Sequence, residues 1–281
     1  MLFNVKRVVI MIGNLYFPSQ PDLVRMSAYY KELRTSKFND IAVYYEFKVE
    51  KKIENVMCLI PDGCFDLLFC LDENKPQVYL WTTPYSKKEQ SFIQPEGLYF
   101  GVRFWPEQTS LFFREYMNDL IEQVIPLQYL LSFNNRIFEK MINADTFPYR
   151  IKIFDDFFLS IKEEAVKESE IVKYVIHQLY ETSGQCSLKA VAQSAGFSQQ
   201  YIRRIFERFI GLSPKQLAQV VQLQRTLQVF EMQQQVDLQD IVFNGGYYDQ
   251  AHFIKNFKKF MHTTPKKYLL ETMSFNNRIK K

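Results

Sequence analysis

The chain has 281 residues, of which 47% are hydrophobic and 23% charged, with a formal net charge of +4. That is enough apolar material for a core and for two domains, while no stretch approaches the roughly 20 apolar residues of a membrane span. The four cysteines, Cys58, Cys64, Cys70 and Cys186, lack Cys-x-x-Cys spacing. This argues against a zinc site or a disulfide framework and for reduced, partly buried thiols in a cytoplasmic protein.

Near the start, Lys6 and Arg7 precede only a six-residue run, Val8 to Gly13, shorter than the roughly 7–15 residues of a signal core, so no secretory leader is expected. Residues 41–105 read as strands. Ile41, Val43, Tyr45 and Phe47 alternate with Ala42, Tyr44 and Glu46, and further runs are Val56–Ile60, Phe65–Leu71, Val78–Trp81 and Leu98–Phe104. Turn residues punctuate them at Pro61-Asp62-Gly63, Asp72-Glu73-Asn74 and Pro95-Glu96-Gly97. Short, closely spaced strands of this kind predict an antiparallel sandwich or small barrel. Tyr44, Tyr45, Trp81 and Trp105 belong to its core or edge rather than to a binding cage. Asp62, Asp66 and Arg103 have two readings: lining of a small-molecule pocket, or a turn cap and buried pair beside the sheet. Helical patterns follow at Ser110–Met117, Leu127–Met141 and Ile151–Ile161. The charged run Lys162–Glu170 then marks a boundary that divides the chain into 1–167 and 168–281.

The second part contains an internal repeat. Leu188, Val191, Ala192 and Ala195 match Leu238, Ile241, Val242 and Gly245 at an offset of 50. Ile202, Phe206, Phe209, Ser213 and Pro214 match Phe253, Phe257, Phe260, Thr264 and Pro265 at an offset of 51. Each copy reads as helix, tight glycine turn, helix and a Ser/Thr-Pro restart, the grammar of a helix-turn-helix. In the first copy Gly196 ends one helix and Ser198 caps the next, whose apolar stripe is Ile202, Ile205, Phe206 and Phe209. Gly211 ends that helix, and Ser213-Pro214-Lys215-Gln216 opens another with a capping box. In the second copy Asp237 is the cap and Gly245-Gly246 the turn. His262 stands where the first copy has Gly211, and histidine tolerates the left-handed backbone better than most residues.

Opposite the apolar stripe of the first unit's second helix lie Gln200, Arg203, Arg204 and Glu207, spaced i, i+3, i+4 and i+7. Their counterparts are Ala251, Ile254, Lys255 and Lys258, with Gln250 at the helix start. Arginine can bond guanine O6 and N7, glutamine can pair with adenine, and apolar groups can touch the thymine methyl. Between the units, Pro214 to Phe230 is one helical pattern, with Leu217, Val220, Leu223, Leu227 and Phe230 apolar. Its other side, Gln216, Gln219, Gln222, Gln224 and Gln228, is expected to be solvated. A rod of that length, about 25 Å, suits two recognition helices laid over successive major-groove segments of one duplex face. Charge agrees with this reading. Residues 1–167 carry 20 Lys+Arg and 22 Asp+Glu, a balance of −2, whereas residues 168–281 carry 15 and 9, a balance of +6. The positive half is the one that would meet phosphate. Candidate phosphate contacts are Arg208, Lys258, Lys259, Lys266 and Lys267, with Ser198 at its helix start.

These residues closely resemble the DNA-binding domain of AraC/XylS-type bacterial transcription regulators. The match is strongest at Gly246-Tyr247-Tyr248-Asp249-Gln250-Ala251-His252-Phe253, followed by Phe257-Lys258-Lys259-Phe260 and Thr264-Pro265. It continues in the first unit at Ala190, Ala195-Gly196-Phe197-Ser198, Phe206 and Gly211-Leu212-Ser213-Pro214. Val242, where alanine is usual, and His262, where glycine is usual, depart from the pattern. The resemblance covers about residues 168–272 and implies seven helices, two recognition helices in adjacent major grooves and a rigid linker helix. It also places base reading on Gln200, Arg203, Arg204, Gln250, Ala251 and Lys255. Pro61-Asp62-Gly63-Cys64-Phe65-Asp66-Leu67-Leu68, with Gly101-Val102-Arg103-Phe104 and Pro106, resembles the N-terminal domain of a poorly characterised AraC-type subgroup.

That second resemblance implies a cupin-like, jelly-roll domain for sensing or dimerisation, and so an α+β chain with an all-α C-terminal domain. The implied partners are double-stranded DNA, RNA polymerase where the protein activates, a small-molecule effector and a second copy of the chain, without a membrane. Metal cupins need histidine ligands, and His177, His252 and His262 all lie after residue 167. Without a Gly-rich phosphate loop or nucleophile elbow either, no metal, cofactor or enzymatic activity is expected. The alternative is a small-molecule-binding or enzymatic cupin-like protein whose helices serve protein contacts. The paired caps, the charge split and the Arg/Gln stripes argue against it.

Overall fold

The computed structural model describes residues 16–25, 27–34, 40–49, 56–91, 97–108, 111, 113, 116–164, 166–232 and 237–279. Its strands are β1 (Ser27–Arg34), β2 (Ile41–Val49), β3 (Val56–Leu59), β4 (Phe65–Cys70), β5 (Gln77–Thr82), β6 (Lys88–Ser91), β7 (Leu98–Phe104) and β8 (Val124–Pro126). Six pair antiparallel in the order β1-β2-β7-β4-β5-β8, and β3 pairs with β6 in a separate two-stranded sheet. The expected sandwich is therefore lopsided, with six strands in one layer and two in the other.

Alternation along the central strands sends side chains to two different cores. Phe65, Leu67 and Phe69 of β4, with Phe100, Val102 and Phe104 of β7, face α2 (Met117–Leu120), α3 (Arg136–Ile142) and α4 (Phe147–Ile161). Leu68, Cys70 and Tyr99 point the other way, toward α1 (Pro21–Arg25) and β3. With both faces covered, every residue of β4 is buried, which is why that run reads as continuously apolar in sequence. A buried ion pair, Arg150 Nη1 to Glu46 Oε2 at 2.6 Å, ties α4 to β2.

Two helical expectations in this half are corrected. Leu127–Met141 is not one helix: Leu127–Tyr129 forms a single 3-10 turn, and the α-helix starts only at Arg136. Of Ser110–Met117, the described residues Leu111, Phe113 and Tyr116 are not helical, and α2 begins at Met117. In both cases the apolar spacing reflects residues burying individually against the sheet rather than one face of a rod. The Lys6–Gly13 run and the Pro95-Glu96 turn signal lie outside the described residues. Tyr44, Tyr45 and Trp81 are buried and Trp105 is partly buried.

The C-terminal half is α5 (Lys167–Glu181), α6 (Leu188–Ser194), α7 (Gln199–Phe209), α8 (Pro214–Met232), α9 (Leu238–Asn244), α10 (Gln250–Met261) and α11 (Pro265–Ile279). α6–α7 and α9–α10 are the two repeated helix pairs. Among the described residues no helix is long and apolar enough to cross a membrane.

Candidate nucleic-acid interface

Local chemistry sets each recognition helix. Ser198 Oγ accepts the Tyr201 N–H at 3.2 Å and caps α7, and Asp249 Oδ1 accepts the His252 N–H at 2.7 Å and caps α10. The preceding helices are capped by Ser187 and Asp237. Gly196, Gly211 and Gly246 take the left-handed backbone at φ 77, 78 and 71°, and His262 takes it at φ 54°. The weaker histidine turn is thus formed. The capping box at the start of α8 is present as read: Gln216 Oε1 accepts the Ser213 N–H at 2.8 Å, and Ser213 Oγ accepts the Gln216 N–H at 3.3 Å.

The outer faces carry the candidate readers. Gln200, Arg203 and Arg204 on α7 are exposed, as are Gln250, Ala251 and Lys255 on α10, while Ile254 is half-buried and packs against the core. Arg203 is 68% exposed and its Nε lies 2.7 Å from Glu207 Oε1. Arg204 lies 5.3 Å from the Tyr201 ring, which itself stacks on Phe197 at 4.9 Å. The aromatic pair is spaced i, i+4 in the sequence, a signal for this support that lies outside the polar stripe. Ser198, Lys258, Lys259, Lys266 and Lys267 are also exposed. Arg208 is exposed as well and lies against the rings of Tyr116 and Phe209, at 5.4 and 5.2 Å. It stands at the end of α7 that meets α2.

The spacer between the pairs, α8, has 19 residues and so spans about 28 Å. Its glutamine side is not simply solvated, and that expectation is corrected. Gln224 has no exposed surface. Its Oε1 accepts the Ser19 N–H at 2.8 Å, and its Nε2 donates to the Pro61 carbonyl at 2.8 Å. Gln228 Nε2 donates to the Phe17 carbonyl at 2.6 Å, and Gln216 and Gln219 bond Ser213 and Lys259. A strap of residues 16–20 lies along the helix and satisfies polar groups that sequence alone would leave to water.

Asp62, Asp66 and Arg103 sit directly beneath this seam. Arg103 Nε and Nη2 meet the two Asp66 oxygens at 2.9 and 3.0 Å, and Arg103 Nη1 meets Asp62 Oδ2 at 3.3 Å. Asp62 also accepts from Gln20 Nε2 at 2.9 Å and the Cys64 N–H at 3.0 Å. The Tyr45 hydroxyl reaches Asp66 Oδ1 at 3.1 Å by lying across Gly101, where a Cβ would stand 2.1 Å from the ring. Burial holds the Asp66 carboxyl above its usual range despite the pull of Arg103. The turn cap and the buried pair are both formed, and Arg103 also borders a cavity of about 30 Å³, room for a single water.

The seam extends to α5. Tyr16 stacks on Tyr180 at 4.7 Å, and the Tyr180 hydroxyl donates to Glu107 Oε2 at 2.8 Å. Burial pushes the Glu107 carboxyl up to about 7, with the Tyr180 bond and Lys173 opposing and Asp40 adding. A raised folded pKa means that Glu107's contribution to stability is complete below about 4.5 and is lost as pH rises through about 7. Glu107→Gln should therefore unfold like the parent at pH 4.5 and exceed it by up to about 3 kcal/mol at pH 8. Urea midpoints across that range check this; a parallel pair of curves would refute it.

Residues 191–271 match a helix-turn-helix domain family, and residues 39–126 match a domain of unknown function, DUF6597. The probable transcription factor PqrA of Proteus vulgaris is 31% identical over 102 residues, covering 36% of this chain and 80% of that protein. The Msm operon regulatory protein of Streptococcus mutans serotype c is 22% identical over 204 residues, 71% of this chain and 70% of that one. ToxT from Vibrio cholerae superposes with a TM-score of 0.40 at 12% identity, covering 87% of this chain and 98% of that chain. The similarity to PqrA spans most of a bacterial regulator's length, and the helix-turn-helix match runs through the second pair and most of the first: the chain belongs to the AraC/XylS-type transcription regulators, proteins that bind specific DNA sequences.

Proposed function

We propose that α7 and α10 enter successive major-groove segments of one DNA duplex. Gln200, Arg203 and Arg204 read bases in the first segment, and Gln250, Ala251 and Lys255 in the second. Ser198, Arg208, Lys258, Lys259, Lys266 and Lys267 hold the flanking phosphates. The reading rests on one observation above others: two capped helix pairs present exposed polar stripes at the two ends of a continuous 19-residue spacer. The division near residue 167 falls where α5 begins, and the strand-rich half is the part that would pair subunits or take an effector. As an activator the protein would in addition contact RNA polymerase. Non-enzymatic action in the cytoplasm fits the same reading.

Arg204→Ala and Lys255→Ala should each weaken binding to a selected operator by about 1–3 kcal/mol, with specificity relaxed at the base each one reads. If either touches phosphate instead, the loss will be uniform across sequences and the salt slope shallower by about one. Titrations on operator and scrambled duplexes at several salt concentrations separate the two. Unchanged affinity in both variants would sink the assignment of reading faces.

A further inference from the structure

Both recognition helices end against the strand-rich half, at two places on a single small plate. At the end of α7, the Gly211 turn sits so close to the other half that a Cβ there would lie 2.6 Å from Ile121 Cδ1 and 2.8 Å from the Met117 carbonyl oxygen. Ile121 is buried in one apolar cluster with Ile210, Leu212 and Phe206. At the end of α10, the Lys87 N–H donates to the Phe260 carbonyl at 2.6 Å. That carbonyl belongs to the last turn, which has no partner within its own helix, so the β5–β6 connection supplies a cap in trans. Left-handed His262 then brings its Nε2 to 3.0 Å from Ser86 Oγ.

The two contact points cannot shift independently. Thr82 Oγ1 donates to the Leu120 carbonyl at 2.7 Å, and the Glu122 N–H donates to the Thr83 carbonyl at 3.3 Å. The Tyr85 N–H donates to Glu122 Oε1, and Lys88 Nζ donates to the Glu122 carbonyl, each at 2.9 Å. Residues 82–88 and 120–123 are thereby one piece, with the end of α7 on one part and the end of α10 on the other. A third contact, Gln224 with Ser19 and Pro61, fastens the same half to the spacer between them. None of the three contacts covers Gln200, Arg203, Arg204, Gln250, Ala251 or Lys255, which stay exposed.

From this we infer that the domain of unknown function is a bracket that sets the separation and tilt of the two recognition helices, with Ile121, Ser86 and the Lys87 N–H as its positioning groups. The inference rests on the reading of α7 and α10 as groove-entering helices. It assigns the strand-rich half a task in DNA recognition itself: it holds the second helix at the pitch of the groove once the first is seated, which raises the effective concentration of the second contact. Groups that never touch DNA then decide how strictly the protein measures the distance between half-sites.

The test uses the full chain and a duplex selected by it from random sequence, together with the same duplex carrying one inserted base pair between half-sites, and a single half-site. Ile121→Ser combined with Ser86→Ala loosens both ends of the bracket. That variant should lose on the order of tenfold in affinity for the selected duplex, keep the parent's affinity for the single half-site, and discriminate little against the insertion. A second variant, Ser86→Cys with His262→Cys in a background of Cys58→Ser and Cys186→Ser, is cross-linked across the same contact by a short bismaleimide, which holds the bracket shut. It should bind within about twofold of the parent and keep the full penalty for the insertion, since a closed bracket is the binding form.

The proposal is overturned if the cross-linked form loses DNA binding, because the contact would then be one that must open. It is equally overturned if the loosened variant keeps the parent's affinity and spacing preference. The loosened variant's single half-site affinity serves as the check that it has folded, and the cross-linked form tests the proposal even if the loosened one has not. A parent that protects only one half-site in footprinting defeats the two-helix reading; a parent that protects two but accepts any spacing defeats the bracket alone.

Discussion

Arg103→Met should destabilise the chain by about 3–5 kcal/mol, because it strands carboxylates that are taken out of water together with their counter-ion. Asp62 and Asp66 are 2% and 7% exposed, and both share Arg103. After the substitution Asp62 keeps Gln20 and the Cys64 N–H, and among the described residues Asp66 keeps the Tyr45 hydroxyl. The Asp66 carboxyl, already held high by burial, rises further once the guanidinium is gone. A group with a raised folded pKa is least costly when protonated, so the deficit should be largest near pH 8 and narrow as pH falls toward 5. Adding Asp66→Asn should recover part of the loss by removing one stranded charge. Urea unfolding of the three proteins at pH 5 and pH 8 decides it: a pH-independent deficit would mean that Asp66 is not a buried charge. The loss should also loosen the Pro61 loop from Gln224, since Asp62 shapes that loop through the Cys64 N–H and the Tyr16 hydroxyl bonds the Asp62 carbonyl.

Gly211→Ala carries the second large effect, about 2–4 kcal/mol, from two causes that add. The residue sits at φ 78°, where a side chain strains the backbone. Its Cβ would also meet Ile121 Cδ1 and the Met117 carbonyl oxygen inside contact distance. The isoleucine methyl can swing aside, but the carbonyl is backbone and cannot without unseating α2. The end of α7 should therefore lift from its seat, lowering both the melting temperature and affinity for a two-half-site duplex. His262, at φ 54° in the second unit, is the control. Its left-handed backbone is already occupied by a side chain, so His262→Gly should stay within about 1 kcal/mol of the parent in stability, while its loss of the Ser86 contact acts on spacing preference only. A neutral Gly211→Ala would mean that the Gly211 turn is not closed in solution.

The helix pairs were legible because every signal for them is local. Ser198, Ser213 and Asp237 cap the helices they precede in sequence, Gly196, Gly211 and Gly246 adopt the backbone only glycine takes easily, and the Ile/Phe stripes bury the face they mark. Of the strands, β2, β3, β4, β5 and β7 were also legible, to within a residue for β4, β5 and β7, since they are short, bounded by turn residues and rich in aromatic and branched side chains, whereas β1, β6 and β8 were not. Where the reading failed, the deciding partner was far away in the chain. Apolar spacing at Leu127–Met141 looked helical because those residues bury against the sheet, and periodicity cannot distinguish a rod from a winding segment that touches the same surface.

Gln224 is the plainest instance of the difference. Its sequence neighbours on the helix face are polar, and a glutamine there costs nothing if water covers it. Only the strap at Ser19 and the loop at Pro61, more than 160 residues earlier, turn it into a buried hydrogen-bonding hub. Asp62, Asp66 and Arg103 behave likewise: residue type announced that burial would require pairing, and register between β4 and β7 determined the pairing, since Asp66 stands opposite Arg103. That the chain folds into strands followed by paired, capped helices, and that those helices address DNA, was written in local patterns of a few residues. How the two halves lie against each other depends on complementary surfaces and unsatisfied polar groups distant in sequence, and no periodicity encodes those.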